Sequence, residues 1–154
     1  MNPSTRLAIV VAEFNQEITE KMLRQALRHS AAIKASVTYV CKVPGSYDVP
    51  LIIEALLKKD NVDAVVTLGA IVRGETKHDE VIAHAIAAKL IDLSLHYGKP
   101  VTLGIAGPGM TRQQAKARVI EYADRSVNAA VQMVLIHKKL NKKIEKVRYP
   151  LVVQ

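Results

Sequence analysis

Four short apolar runs, each followed by a stretch of helical periodicity, set the tightest limit on what this chain can fold into. Residues 7–12 contain no polar side chain, the mark of a strand buried on both faces of a parallel sheet. Residues 35–43, 62–72 and 101–106 read as three further strands. The second is rich in Val, Thr and Tyr, and the third is built on Ala64-Val65-Val66-Thr67-Leu68. Helices are expected over residues 17–33, from near Asp48 to about Lys59 with Pro50 in the first turn, and over residues 78–96. Gly107-Pro108-Gly109 reads as a tight turn. Thr111 and Gln114 then form a capping box that opens the last helical region, with a bend near Asp124. Crossovers of this length join parallel strands. The expected fold is therefore α/β: a flavodoxin-like, three-layer αβα sandwich whose four-stranded parallel sheet a neighbour could extend.

The helix over residues 78–96 carries a second message. Val81, Ile82, Ile86, Leu90 and Ile91, with alanines between them, nearly encircle it. One small sheet covers one side of a helix, so a helix apolar all round implies a subunit interface. The remainder is ordinary. With 154 residues, 49% apolar and 23% charged, the chain is read as one globular domain, which excludes disorder. No apolar run approaches the ~18 residues of a membrane span. The first apolar run lacks a lysine-rich lead and a cleavage site, so it is read as a strand and not as a signal peptide. The single cysteine, Cys41, can close no intrachain disulfide, and the expected compartment is cytoplasmic. The net charge of +8 is concentrated at the end. Residues 138–148 hold six cations against Glu145 alone, giving a basic, helical tail over about residues 138–154. With Phe14, five Tyr and no Trp as the aromatic complement, nucleic acid is not the expected partner.

Ligands of an open parallel sheet collect at the carboxyl ends of its strands. The most informative of the four loops there is Gly74-Glu75-Thr76-Lys77-His78-Asp79. Thr76 reads as an N-cap with Asp79 as its partner. The first-turn N–H groups offer a place for phosphate, beside a histidine able to exchange protons near neutrality. A capped helix with an idle histidine would carry the same pattern. Phe14 could stack on a planar ring or staple its own helix. Asp48 could bind hydroxyls or cap a helix, and Arg118 could meet a phosphate or simply face solvent. His78, His84 and His96 do not fall on one helical face, so no metal is expected. No glycine-rich nucleotide loop is present.

The loops also carry a resemblance. Ala12-Glu13-Phe14-Asn15, Val43-Pro44-Gly45-Ser46-Tyr47-Asp48-Val49-Pro50 and Leu68-Gly69-Ala70-Ile71-Val72-Arg73-Gly74-Glu75-Thr76-Lys77-His78, in that order, resemble the lumazine synthase family. The likeness continues through residues 99–105 to Arg118, and Gly107-Pro108-Gly109-Met110-Thr111 is similar to the archaeal form. The resemblance implies condensation of 5-amino-6-(D-ribitylamino)uracil with 3,4-dihydroxy-2-butanone 4-phosphate, without metal or organic cofactor. It also implies pentamers, or multiples of them, with each site between neighbouring subunits. On that reading Phe14 stacks on the pyrimidine, and Ser46, Tyr47 and Asp48 hold the ribityl chain and ring edge. Ala70, Ile71 and Val72 line the pocket through their backbone. Glu75 and Thr76 present N–H groups to phosphate, with Arg118 as counter-charge. His78 gives and takes protons, and Leu103 closes the ring's other face from the neighbouring subunit. The chain departs from the family in having Leu103 where an aromatic is common and Ser-Tyr-Asp in place of Ala-Phe-Glu. Ser126 stands near the place of a phosphate-contacting lysine. Two alternatives stay open: an archaeal-type riboflavin synthase, and a flavin- or lumazine-binding assembly without turnover.

Overall fold

The computed structural model describes residues 4–142 and 151–153. Strands β1 (Arg6–Ala12), β2 (Ser36–Val43), β3 (Ala64–Val72) and β4 (Val101–Met110) form one parallel sheet in the order β2-β1-β3-β4. Helices α1 (Gln16–Ala32), α2 (Val49–Leu57), α3 (His78–Tyr97), α4 (Arg112–Ala117) and α5 (Val119–Leu140) connect and follow them. A single 3₁₀ turn, Ser46–Asp48, precedes α2. The expected α/β sandwich is thus the observed one.

The unbroken apolar runs follow from burial on both sides. Along β1, Leu7, Ile9 and Val11 face a core built with α1 and α5. Ala8, Val10 and Ala12 face a second core built with α2 and α3. Each fully buried Leu or Ile contributes roughly 1.5–3 kcal/mol, so both cores must be filled for the sheet to persist. At the amino ends of the strands the cores are sealed by polar contacts. Asp63 accepts from the Arg6 backbone N–H at 2.8 Å and from its guanidinium at 2.9 Å, and Lys138 approaches it at 3.7 Å. Burial pushes the Asp63 carboxyl up, but the Arg6 hydrogen bonds, aided by the nearby Lys138 charge, outweigh it and hold the group below the ordinary carboxylate value. Among the described residues no helix is long and apolar enough to cross a membrane.

Two expectations are corrected. β4 does not stop at Ala106 for a tight turn. It runs on through Gly107-Pro108-Gly109, and Met110 pairs with Val72 after a register shift. The extra residues are absorbed by Gly107 at φ 110° and Gly109 at φ 76°, conformations that glycine alone adopts without penalty. The last helical region breaks at Arg118, whose φ of −107° and ψ of 10° leave the helical range, and not at Asp124. Asp124 lies inside α5, where it accepts from Gln25 at 2.6 Å. Of the expected helical tail, residues 138–140 belong to α5. Residues 141–142 turn and 151–153 have no regular structure, while 143–150 and 154 lie outside the described residues.

Candidate active site

The sheet order reverses between β1 and β3, because α1 leads outward to β2 and α2 returns across to β3. The loops leaving β1 and β3 therefore diverge and leave a crevice at their carboxyl ends. A cavity of about 380 Å³ occupies that crevice, a size suited to small metabolites. It gathers Phe14 and Asn15 after β1, Ser46 and Tyr47 after β2, Ala70, Ile71 and Val72 at the end of β3, and Thr76 and His78 at the head of α3.

Local rules explain each placement. Asn15 takes the left-handed conformation, φ 62°, which a short polar side chain tolerates, and this turns the chain sharply out of β1. Its amide donates to the Ala70 carbonyl at 2.8 Å and fastens the β1 loop to β3. Phe14 stays 72% exposed and is no staple buried on its own helix. Tyr47, 70% exposed, lines the same cavity. Ser46 is buried, and its Oγ sits where a side chain at Gly69 would collide, so glycine in β3 lets the 3₁₀ turn settle on the sheet.

Head-of-helix geometry differs from the capping box expected there. Lys77, not Thr76, occupies the N-cap position, and it makes no side-chain cap. Thr76 instead accepts the His78 N–H at 3.4 Å. Among the described residues no acceptor takes the N–H of Glu75 or Thr76. Both donors lie just ahead of the N-cap of a twenty-residue helix, whose positive end favours an anion. The His78 side chain is exposed and lines the cleft. Proton transfer and anion binding are thus available side by side.

Four expected residues fall outside the cleft lining. Glu75 is exposed and is not part of the lining. Asp48 turns back on its own loop, where its carboxylate accepts the Gly45 N–H at 2.9 Å. Leu103, 51% exposed, lines a separate cavity of about 110 Å³ with His84 and Pro108. Arg118, at the α4–α5 break, is exposed and is not part of the lining. Conversely, Asn15 and Asp79 belong to the lining and were missed as site residues. An asparagine at a strand-to-helix turn was the available signal for the first.

Sequence comparison agrees with this geometry. Residues 4–138 match the family described as 6,7-dimethyl-8-ribityllumazine synthase. A protein of that name from Pyrobaculum arsenaticum is 55% identical over 135 residues, covering 88% of this chain and 90% of the relative. One from Saccharolobus islandicus is 54% identical over 138 residues, covering 90% of each. Another, from Sulfolobus acidocaldarius, is 54% identical over 134 residues, covering 87% of this chain and 85% of its own length.

Proposed function

The chain belongs to the 6,7-dimethyl-8-ribityllumazine synthase family, and from that premise we propose how its cleft performs the condensation of riboflavin biosynthesis. The enzyme is a transferase that joins 5-amino-6-(D-ribitylamino)uracil to 3,4-dihydroxy-2-butanone 4-phosphate, releasing phosphate and water. The pyrimidine stacks on Phe14. Its ribityl chain and ring edge are held by Ser46 and Tyr47 and by the backbone of Ala70, Ile71 and Val72, while Asp48 braces the loop through the Gly45 N–H. The butanone phosphate rests on the N–H groups of Glu75 and Thr76, within reach of His78. The substrate's own amine is the nucleophile, so no enzyme nucleophile is needed. What the protein supplies is face-to-face orientation, which can be worth several kcal/mol. His78 moves the protons that imine formation, phosphate departure and ring closure require, a contribution of ~10²–10⁴ in rate.

The exposed places of Leu103 and Arg118, outside their own chain's cleft, support a site completed by a neighbouring subunit. In this reading Leu103 closes the free face of the ring and Arg118 neutralises the phosphate. The apolar surface of α3, with Val81, Ile91 and Leu95 exposed, packs against the next copy in a homopentamer or an assembly of pentamers. The chain works as a single cytoplasmic domain with a basic tail, on two small-molecule substrates and without nucleic acid or membrane as partner.

The observation that carries the proposal is the meeting of Phe14, Ser46 and His78, from three separate loops, around one cavity of metabolite size. The test is an absorbance assay with the two substrates. The lumazine chromophore is expected to form only when both are present. Riboflavin appearing from the lumazine alone would instead identify a riboflavin synthase, and binding without turnover a carrier.

A further inference from the structure

Asp79 is the second residue of α3, directly after His78. It is 6% exposed, and it heads a helical stripe whose other buried members, Ile86 and Leu90, are apolar. In the first two turns of α3 it is the one fully buried residue, with Ile82 and Ala83 packing only partly buried against the core behind it. A carboxylate in a core position is costly unless it is hydrogen-bonded. No Lys or Arg pairs with it among the described residues. Its one partner is the Gly109 N–H, which donates to Asp79 Oδ2 at 3.0 Å. Gly109 belongs to the irregular end of β4 and holds a left-handed φ of 76°. Asp79 also lines the reaction cleft beside His78.

We infer that Asp79 is a positioning residue. By clamping the head of α3 to the end of β4, it fixes where the His78 imidazole and the free helix-head N–H groups stand relative to the β1 and β2 loops. The exposed neighbours Lys77, Glu80 and Val81 have no hold on the sheet that could replace it. This inference rests on the reading of the cleft as the active site with His78 as its proton carrier. A shift of about 1 Å in a reacting group can cost ~10²-fold in rate, so a loosened helix head is enough to disable the enzyme without unfolding it.

The test compares Asp79→Leu and Asp79→Asn in the full-length protein, measuring kcat, KM for each substrate, thermal midpoint and pH profile. Leucine completes the apolar stripe and removes the acceptor. It is expected to keep or raise the midpoint while lowering kcat by roughly tenfold to a hundredfold across the whole pH range. Asparagine keeps an oxygen for Gly109 and is expected to stay within about threefold of the native kcat. Should Asp79→Leu not fold, Asp79→Ala is read in the same way. Native kcat in the leucine or alanine variant overturns the inference. So does an asparagine variant as crippled as leucine, or one that loses a limb of the pH profile, since either would make Asp79 itself the proton carrier. His78→Ala run alongside separates the two claims. Unchanged turnover there sinks the reading of the cleft, whereas a crippled His78→Ala beside a fully active Asp79→Leu sinks this inference alone.

Discussion

The two faces of the sheet are finished to different degrees. On the α1/α5 face, Ile18, Met22, Ala26, Ala123, Val127 and Ala130 are essentially inaccessible, and the helices close over β1 and β3 within the chain. On the α2/α3 face, Leu51, Val81, Ile91 and Leu95 point outward, the last of them 79% exposed. The same face ends in the cleft. The α1/α5 layer also leaves Ile120, Met133, Leu135 and Leu140 of α5 exposed, but the head of α3 and the cleft belong to the other layer. In the assembly proposed above, a neighbour that covers α3 also places its side chains over the reaction cleft, so assembly and catalysis draw on the same surface.

That contrast can be broken most severely at His78. His78→Ala on the open face is expected to lower kcat by ~10²–10⁴ with ligand affinity and thermal midpoint nearly native. Turnover left intact would remove the imidazole from the mechanism. On the closed face the balance reverses. Ile18→Ala, which empties a fully buried site, is expected to cost ~2–5 kcal/mol in denaturant unfolding while kcat per folded enzyme holds. A third test addresses the uncovered helix. Ile91→Glu combined with Leu95→Glu is expected to leave far-UV circular dichroism unchanged and shift sedimentation toward the single chain. Activity should fall at least about tenfold, because Leu103 and Arg118 no longer reach another copy's cleft. Unchanged mass in that variant would count against α3 as the contact. The smallest effect belongs to the sealed strand ends. Because the Asp63 carboxyl is held below its ordinary value in the fold, its stabilisation is complete above about pH 4 and fades as pH falls through the depressed value. Asp63→Asn should therefore be less stable than the native chain at neutrality, with the gap narrowing in acid.

How much of this was legible in the sequence depended on whether one rule or two acted at a position. β1 and β3 were readable because burial on both faces forces an unbroken apolar run. The loops of the cleft were readable because Phe14, Ser46 and His78 sit where strands give way to helices. The end of β4 was not, since Gly107-Pro108-Gly109 obeys turn statistics while pairing with β3 overrides them. The helix break at Arg118 was equally silent, as its residues are ordinary helix formers. Asp79 looked like a capping partner because it lies three residues after Thr76. Its spacing of seven and eleven from Ile86 and Leu90 carried the stronger, overlooked message that it points into the core. The roles proposed for Arg118 and Leu103 rest on the resemblance alone, because nothing local ties them to the cleft.

Gly104 shows how such a protein is free to vary. A methyl group added there would overlap the Thr67 carbonyl oxygen and crowd Ser126, so that position admits a single amino acid. Leu103, its neighbour in the chain, faces no such veto. Neutral drift can therefore exchange the group that, in the proposed assembly, is held out to an adjoining protomer, leucine for an aromatic or back again. The strand that holds it out keeps its berth, and descendants inherit a fixed mount with an interchangeable tip.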